Sequence, residues 1–184
     1  MKKIVIAITG ASGVCYAKRL FDCLVGKSEL HILISERGQE LLNLELGLKR
    51  DYFEREGVTV YRNSQMNVSI ASGSFPGDKM VIVPASMGTV GRIACGVSST
   101  VIERTADVFL KERSTLIIVP RETPFNSIHL KNLLALDQAG AVILPASPAF
   151  YHNPKTLDDL VDFIVARILK QLGVEQKLIP PYSP

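Results

Sequence analysis

Lys3-Ile4-Val5-Ile6-Ala7-Ile8 runs straight into Thr9-Gly10-Ala11-Ser12-Gly13, and this junction decides the fold. A short, continuous β-branched run is the pattern of a strand covered on both faces. The glycine-rich turn after it opens a helical stretch over Gly13–Val25. The same unit recurs along the chain. Further strands are expected at Leu30–Ile34, Val58–Tyr61, Met80–Val83, Leu116–Val119 and Ala141–Leu144. Helices are expected at Glu36–Leu48, Gly88–Cys95, Ser99–Glu112, Ser127–Gln138 and Leu157–Leu172. Strand–helix–strand repetition gives right-handed crossovers, so the expected fold is α/β: a doubly wound, flavodoxin/Rossmann-like parallel sheet with helices on both faces. Ligands in such sheets bind beyond the carboxyl ends of the strands.

The whole chain fits that plan. Its 184 residues make one domain at roughly 150 residues per domain. Residues 1–172 are read as the α/β domain and 173–184, with Pro180, Pro181 and Pro184, as a frayed tail or an arm laid on a neighbouring subunit. Asn63–Asp78 is a Ser/Gly/Asn-rich loop longer than most connections, a length typical of functional or mobile segments. A hydrophobic content of 47% with 21% charged residues excludes the disordered classes. A net charge of +3, with no basic run beyond Lys2-Lys3 or Lys49-Arg50, gives no footprint for nucleic acid. Three cysteines (Cys15, Cys23, Cys95) without CxxC spacing read as free thiols in a reducing compartment. The apolar run after Lys3 is too short for a signal peptide and no stretch suits a membrane span, so a cytoplasmic protein is expected. A mean hydropathy of +0.21 points to a largely covered sheet or an oligomer surface.

Chemistry is sought at the strand ends. Gly10-Ala11-Ser12-Gly13 permits a tight turn and presents a helix N-terminus to a phosphate; the bland alternative is a turn with Ser12 as N-cap. It is neither GxGxxG nor GxSxG. Strand two ends in Ser35-Glu36 and strand four in Ser86-Met87-Gly88-Thr89. Three such loops suit a flavin mononucleotide, whose phosphate and ribityl chain need neutral donors and whose ring needs close backbone approach. Strand five ends in Pro120-Arg121-Glu122-Thr123-Pro124, where an arginine can grip phosphate and a carboxyl group can pass protons; the bland alternative is an exposed ion pair. Tyr151 follows strand six and Arg167 lies one helix later. Asp158-Asp159-Leu160-Val161-Asp162 matches DDxxD, but no second acidic motif faces it, so it reads as a capped first turn after Thr156. His31, His129 and His152 have no metal-ligand spacing, and no metal site is expected. Glu45, by itself, reads as a surface residue.

GASG at 10–13, Ser35, SMGT at 86–89, PRETPF at 120–125, SIHLKNLL at 127–134, FYHNP at 150–154 and LVDFIVARIL at 160–169 together resemble the flavin prenyltransferase (UbiX-type) family. The likeness runs nearly end to end, and PRETPFNSIHL and FYHNP are its specific parts. Older family names cite aromatic acid or polyprenyl-hydroxybenzoate decarboxylation, a step read as belonging to a partner enzyme. The resemblance implies metal-independent transfer of a dimethylallyl group from dimethylallyl phosphate to N5 and then C6 of reduced FMN. The product, prenylated FMN, serves UbiD-type decarboxylases in ubiquinone biosynthesis or aromatic acid breakdown.

By position, the resemblance implies that Gly10, Ala11, Ser12, Ser35, Ser86, Met87, Gly88, Thr89 and Arg121 hold FMN. Lys111, Arg121, Tyr151 and Arg167 would bind the allylic phosphate across a subunit boundary. Glu122 would be the principal acid/base, helped by Ser12 and Glu45. A homododecamer is implied as well. The chain departs from some relatives in having no tryptophan in the 63–78 loop, or anywhere. That departure bears on active-site closure and on the shape of the prenyl pocket.

Three other functions fit parts of the sequence. An FMN-dependent cysteine-decarboxylase flavoprotein would need a PxMNxxMW clamp, and Gln65-Met66-Asn67-Val68 lacks its Pro and Trp. A flavin carrier without chemistry has no need of Arg121, Glu122, Tyr151 and Arg167 together. An NAD-dependent oxidoreductase would require GxGxxG, although Glu36 stands where its ribose-binding acid would lie.

Overall fold

A computed structural model describes residues Met1–Pro180. Six parallel strands form one sheet: β1 (Lys3–Ile8), β2 (Glu29–Ile34), β3 (Val58–Arg62), β4 (Lys79–Ala85), β5 (Thr115–Pro120) and β6 (Val142–Ile143). Their order is β3-β2-β1-β4-β5-β6. Of the two common doubly wound orders this is the one found in dinucleotide-binding domains, reached here without a GxGxxG turn. Helices α1 (Val14–Leu24), α2 (Glu36–Leu46) and α6 (Leu157–Leu172) cover one face, where Phe21, Leu42 and Ile168 pack on Ile6 and Ile32. Helices α3 (Met87–Ala94), α4 (Val101–Lys111) and α5 (Ser127–Gln138) cover the other, where Val90, Phe109 and Leu136 pack on Val5 and Ile82.

The central strands are buried from their second residue onward, as their unbroken apolar runs require. Edge strand β3 is only half-buried. Strand β6 is shorter than expected, although the amides of Leu144 and Ala146 extend its pairing to Ile118 and Pro120 (2.8 and 3.1 Å). The 63–78 loop is pinned rather than loose. Its Ile70 is fully buried, Arg104 Nε donates to the Ala71 carbonyl (3.2 Å), and Asn63 caps the start of α4. After α6, Val174, Leu178 and Ile179 pack against the first core of the same chain; 181–184 fall outside the described residues.

Candidate active site

The strand order reverses direction between β1 and β4, and the crevice beyond their ends is where the loops converge. Thr9 joins the two strand ends: its hydroxyl donates to the Pro84 carbonyl (2.8 Å) and accepts from the Ser86 amide (2.8 Å). The β4–β5 register shifts between Ile82 and Ala85, around Pro84, which has no N–H for the ladder. The chain then turns into Ser86, the N-cap of α3, while Ser35 caps α2 by accepting from the Gly38 amide (3.0 Å). Two close approaches seat the start of α2 against the end of β1. A Cβ on Gly10 would lie 2.5 Å from the Arg37 Cβ, and one on Gly38 would lie 2.6 Å from the Ile8 carbonyl oxygen. The side chain of Met87 points into the core, so this residue faces the crevice only with its backbone.

A cavity of about 1180 Å³ opens here, lined by Gly10, Ser35, Ser86, Thr89 and several cations including Arg37 and Arg92. Hydroxyls, two helix N-termini and positive charge suit a phosphate-bearing ligand.

The start of α1 does not. The sequence predicts either a phosphate at its amides or Ser12 as its cap; instead Gly13 is the N-cap, at φ 99°, and contributes no side chain. The Glu45 carboxylate fills the gap, accepting from Gly13 N (3.0 Å) and Val14 N (3.2 Å). Glu45 is therefore not an idle surface residue, and the anion at α1 is part of the protein itself. Ser12, exposed beside it, offers its carbonyl to Arg121 Nε (3.1 Å), which ties the first loop to the fifth. The bland ion pair at Arg121-Glu122 is absent: the Glu122 carboxylate accepts from the Thr123 amide instead (3.1 Å).

Arg167 and Tyr151 meet away from this cluster. Arg167 Nη2 donates to the Tyr151 hydroxyl (3.1 Å), and its guanidinium lies 5.0 Å from the Phe163 ring centroid. His152 stacks on the same ring at 5.3 Å, anchoring the loop that carries Tyr151. Both Tyr151 and Arg167 line a second cavity of about 540 Å³ with Lys170. Lys111 is not brought to either place within one chain. It pairs with Glu112 just before β5, whereas Arg121 just follows β5, about 20 Å of strand away.

The acidic run is structural. Asp159 caps α6 through the Lys155 and Thr156 amides, and Asp162 pairs with Arg19 (2.6 Å). Cys15 and Cys23 are half-buried, and burial pushes both thiols above their ordinary range, which keeps them unreactive. Among the described residues no His/Cys/Asp/Glu group is placed to hold a metal.

Residues 1–169 match the Flavoprotein family model. The flavin prenyltransferase UbiX of Methanocaldococcus jannaschii is 44% identical over 176 residues, covering 96% of both chains. The chain belongs to the flavin prenyltransferase family. Among solved structures, AnUbiX in complex with FMN and dimethylallyl pyrophosphate has a TM-score of 0.95 at 35% identity, covering 100% of this chain and 98% of its own. A dodecameric FMN-dependent UbiX-like decarboxylase from Escherichia coli O157:H7 has a TM-score of 0.94 at 34% identity, covering 99% and 100%.

For this flavin prenyltransferase, reading along the sequence passed over Thr9, Arg92 and Glu103. Thr9 carries no motif, and its role appears only once β1 and β4 lie side by side. Glu103 had a local signal, since Thr100-Val101-Ile102-Glu103 spells a capping box, and one does form there. Arg92 had none.

Proposed function

We propose that this flavin prenyltransferase transfers a dimethylallyl group from dimethylallyl phosphate to N5 and C6 of reduced FMN without a metal ion. The observation that carries the reading is the Arg121–Ser12 hydrogen bond. It ties the PRETPF loop, which carries Glu122, to the GASG loop.

The cradle fits FMN. Its lining combines hydroxyls with an excess of cations suited to a phosphate, and Gly10 and Gly38 allow the close approach of α2 to the end of β1 that shapes it. Gly10, Ala11, Ser12, Ser35, Ser86, Met87, Gly88, Thr89 and Arg121 would hold the flavin. Bound there in reduced form, it supplies the nucleophile. A monophosphate leaves poorly unless its charge is neutralised, so Arg121, Lys111 and Arg167 would bind the allylic phosphate with Tyr151. Glu122 would hand a proton to the departing phosphate oxygen. Ser12 and Glu45, at the start of α1, would hold and relay a proton beside the flavin.

One copy does not assemble that phosphate site. With β5 between them, Lys111 and Arg121 reach one phosphate only if a second copy supplies one of the two. Exposed Ile128, Leu130, Leu134 and Phe150 offer apolar surface for such contacts. A homododecamer is the assembly proposed, with 1–172 as the flavin-binding domain and 173–184 as its tail. No helix among the described residues is long and apolar enough to cross a membrane. The proposed setting is the cytoplasm, and the proposed recipient of the product is a UbiD-type decarboxylase.

The test is anaerobic incubation with reduced FMN and dimethylallyl monophosphate, then the diphosphate, followed by mass spectrometry of the released flavin. A gain of one C5 unit supports the reading and names the donor. An unchanged flavin with both donors overturns it in favour of an FMN-dependent decarboxylase.

A further inference from the structure

Arg92 stands one turn into α3, at the spacing that lays a side chain back over the first turn of its own helix. Its Nε–H donates to the Glu103 carboxylate and its Nη2 to Thr89 Oγ1 (3.3 Å), whose hydroxyl in turn meets Ser86 Oγ (3.0 Å). Its Nη1 lies over Gly88, 3.4 Å from where a Cβ would be. The guanidinium is thus stretched across Ser86, Gly88 and Thr89.

What holds it there is buried. The Glu103 side chain is 1% exposed, and its other oxygen accepts from Ser99 N (2.9 Å), Ser99 Oγ (2.7 Å) and Thr100 N (3.0 Å). A buried carboxylate with that many donors does not reorient without leaving several of them unpaired. Burial by itself would raise its pKa, but the hydrogen bonds from Arg92 and Ser99 outweigh it and hold the group below the ordinary carboxylate range. Glu103 therefore stays charged and fixes Arg92. Of the five N–H donors of the guanidinium, two are engaged and three remain for the cavity that Arg92 lines at 48% side-chain exposure.

We propose that Arg92 binds the phosphate of the flavin and makes the site select FMN over riboflavin, an inference that rests on the flavin reading above. A helix N-terminus and a pre-oriented guanidinium act on the same anion from adjacent directions. The surrounding wall adds Lys49, Arg50 and Arg62; burial, and then the nearby charge of Arg62, lower the pKa of Arg50, and an anion beside it offsets both effects. The other role open to Arg92, neutralising Glu103 for the sake of the fold, makes a different prediction, because it is indifferent to the phosphate.

The experiment titrates FMN and riboflavin separately, by quenching of flavin fluorescence, into the wild-type protein and Arg92→Ala. The expected result is that Arg92→Ala weakens FMN binding by about tenfold or more, the scale of one hydrogen bond to a charged group, with riboflavin affinity unchanged. An equal loss for both flavins, or no loss for FMN, overturns the proposal. If Arg92→Ala does not fold, the Arg92→Gln/Glu103→Gln double variant removes both charges together and leaves no buried carboxylate without its partner, and the same two outcomes apply. Wild-type protein that binds neither flavin overturns the flavin reading along with this one. Wild-type protein that binds FMN no more tightly than the variant does overturns only the assignment to Arg92.

Discussion

The carboxylate of Glu45 caps α1 by accepting from Gly13 N at 3.0 Å, so a residue on α2 completes the turn that β1 feeds. Removing it leaves those amides open. Glu45→Ala is expected to lower stability by about 1 kcal/mol, the scale of a lost N-cap. Glu45→Gln retains an accepting oxygen and is expected to keep most of that stability while losing turnover. Thermal melts read the first effect and product formation the second. Full turnover in Glu45→Gln would remove Glu45 from proton handling and leave it a cap.

Among the described residues Glu122 accepts one hydrogen bond, from the Thr123 amide, and enters no ion pair. Glu122→Gln preserves that contact through its amide oxygen. It is expected to bind FMN as the wild type does and to lose at least about a hundredfold in kcat, within the range of a removed general acid. Flavin titration alongside single-turnover assays separates the two, and undiminished turnover would reassign the acid.

Arg167 is steadied by Tyr151 and by the Phe163 ring, outside the flavin cradle. Arg167→Ala should raise the KM for dimethylallyl phosphate by about tenfold, the worth of a charged hydrogen bond, while FMN affinity stays as it was. Tyr151→Phe removes only the hydroxyl and should show a smaller rise. A parallel loss of flavin binding in either variant would mean that the substitution disturbs the fold rather than the phosphate site.

His31 is buried on β2 between Tyr61 (2.8 Å to its hydroxyl) and Glu29 (3.2 Å), with Phe75 of the 63–78 loop edge-on to its ring. Burial lowers its pKa despite the raising effect of Glu29. A base whose pKa is lower folded than unfolded binds more protons in the unfolded chain. Its neutral form therefore stabilises the fold fully above the unfolded value near 6.5, and that share is lost as pH falls below it. Denaturant melts across this range should show stability declining toward acid pH, with a shallower decline in His31→Gln. Parallel declines in the two proteins would clear His31 of the effect.

Much of this protein was legible along the chain. Strand runs, helix periods and the turn at Gly10–Gly13 are local signals, and they place all six strands and six helices within a few residues. The caps Ser35, Ser86 and Thr156 each act on the amide three residues away and could be read the same way. The resemblance carried by PRETPF and FYHNP was legible in the sequence as well, and the comparisons bear out the family it names. The tertiary structure alone decided which of these groups meet. Glu45 reaches Gly13 across 32 positions, Thr9 reaches Ser86 across 77 and Arg121 reaches Ser12 across 109. It also decided that the start of α1 is closed to an external anion and that a buried Glu103 aims Arg92 into the cradle. Helix and strand periods are set by a backbone that repeats every few residues, whereas a charge finds its partner only after the crossovers have stacked distant strands and turned their ends into one crevice.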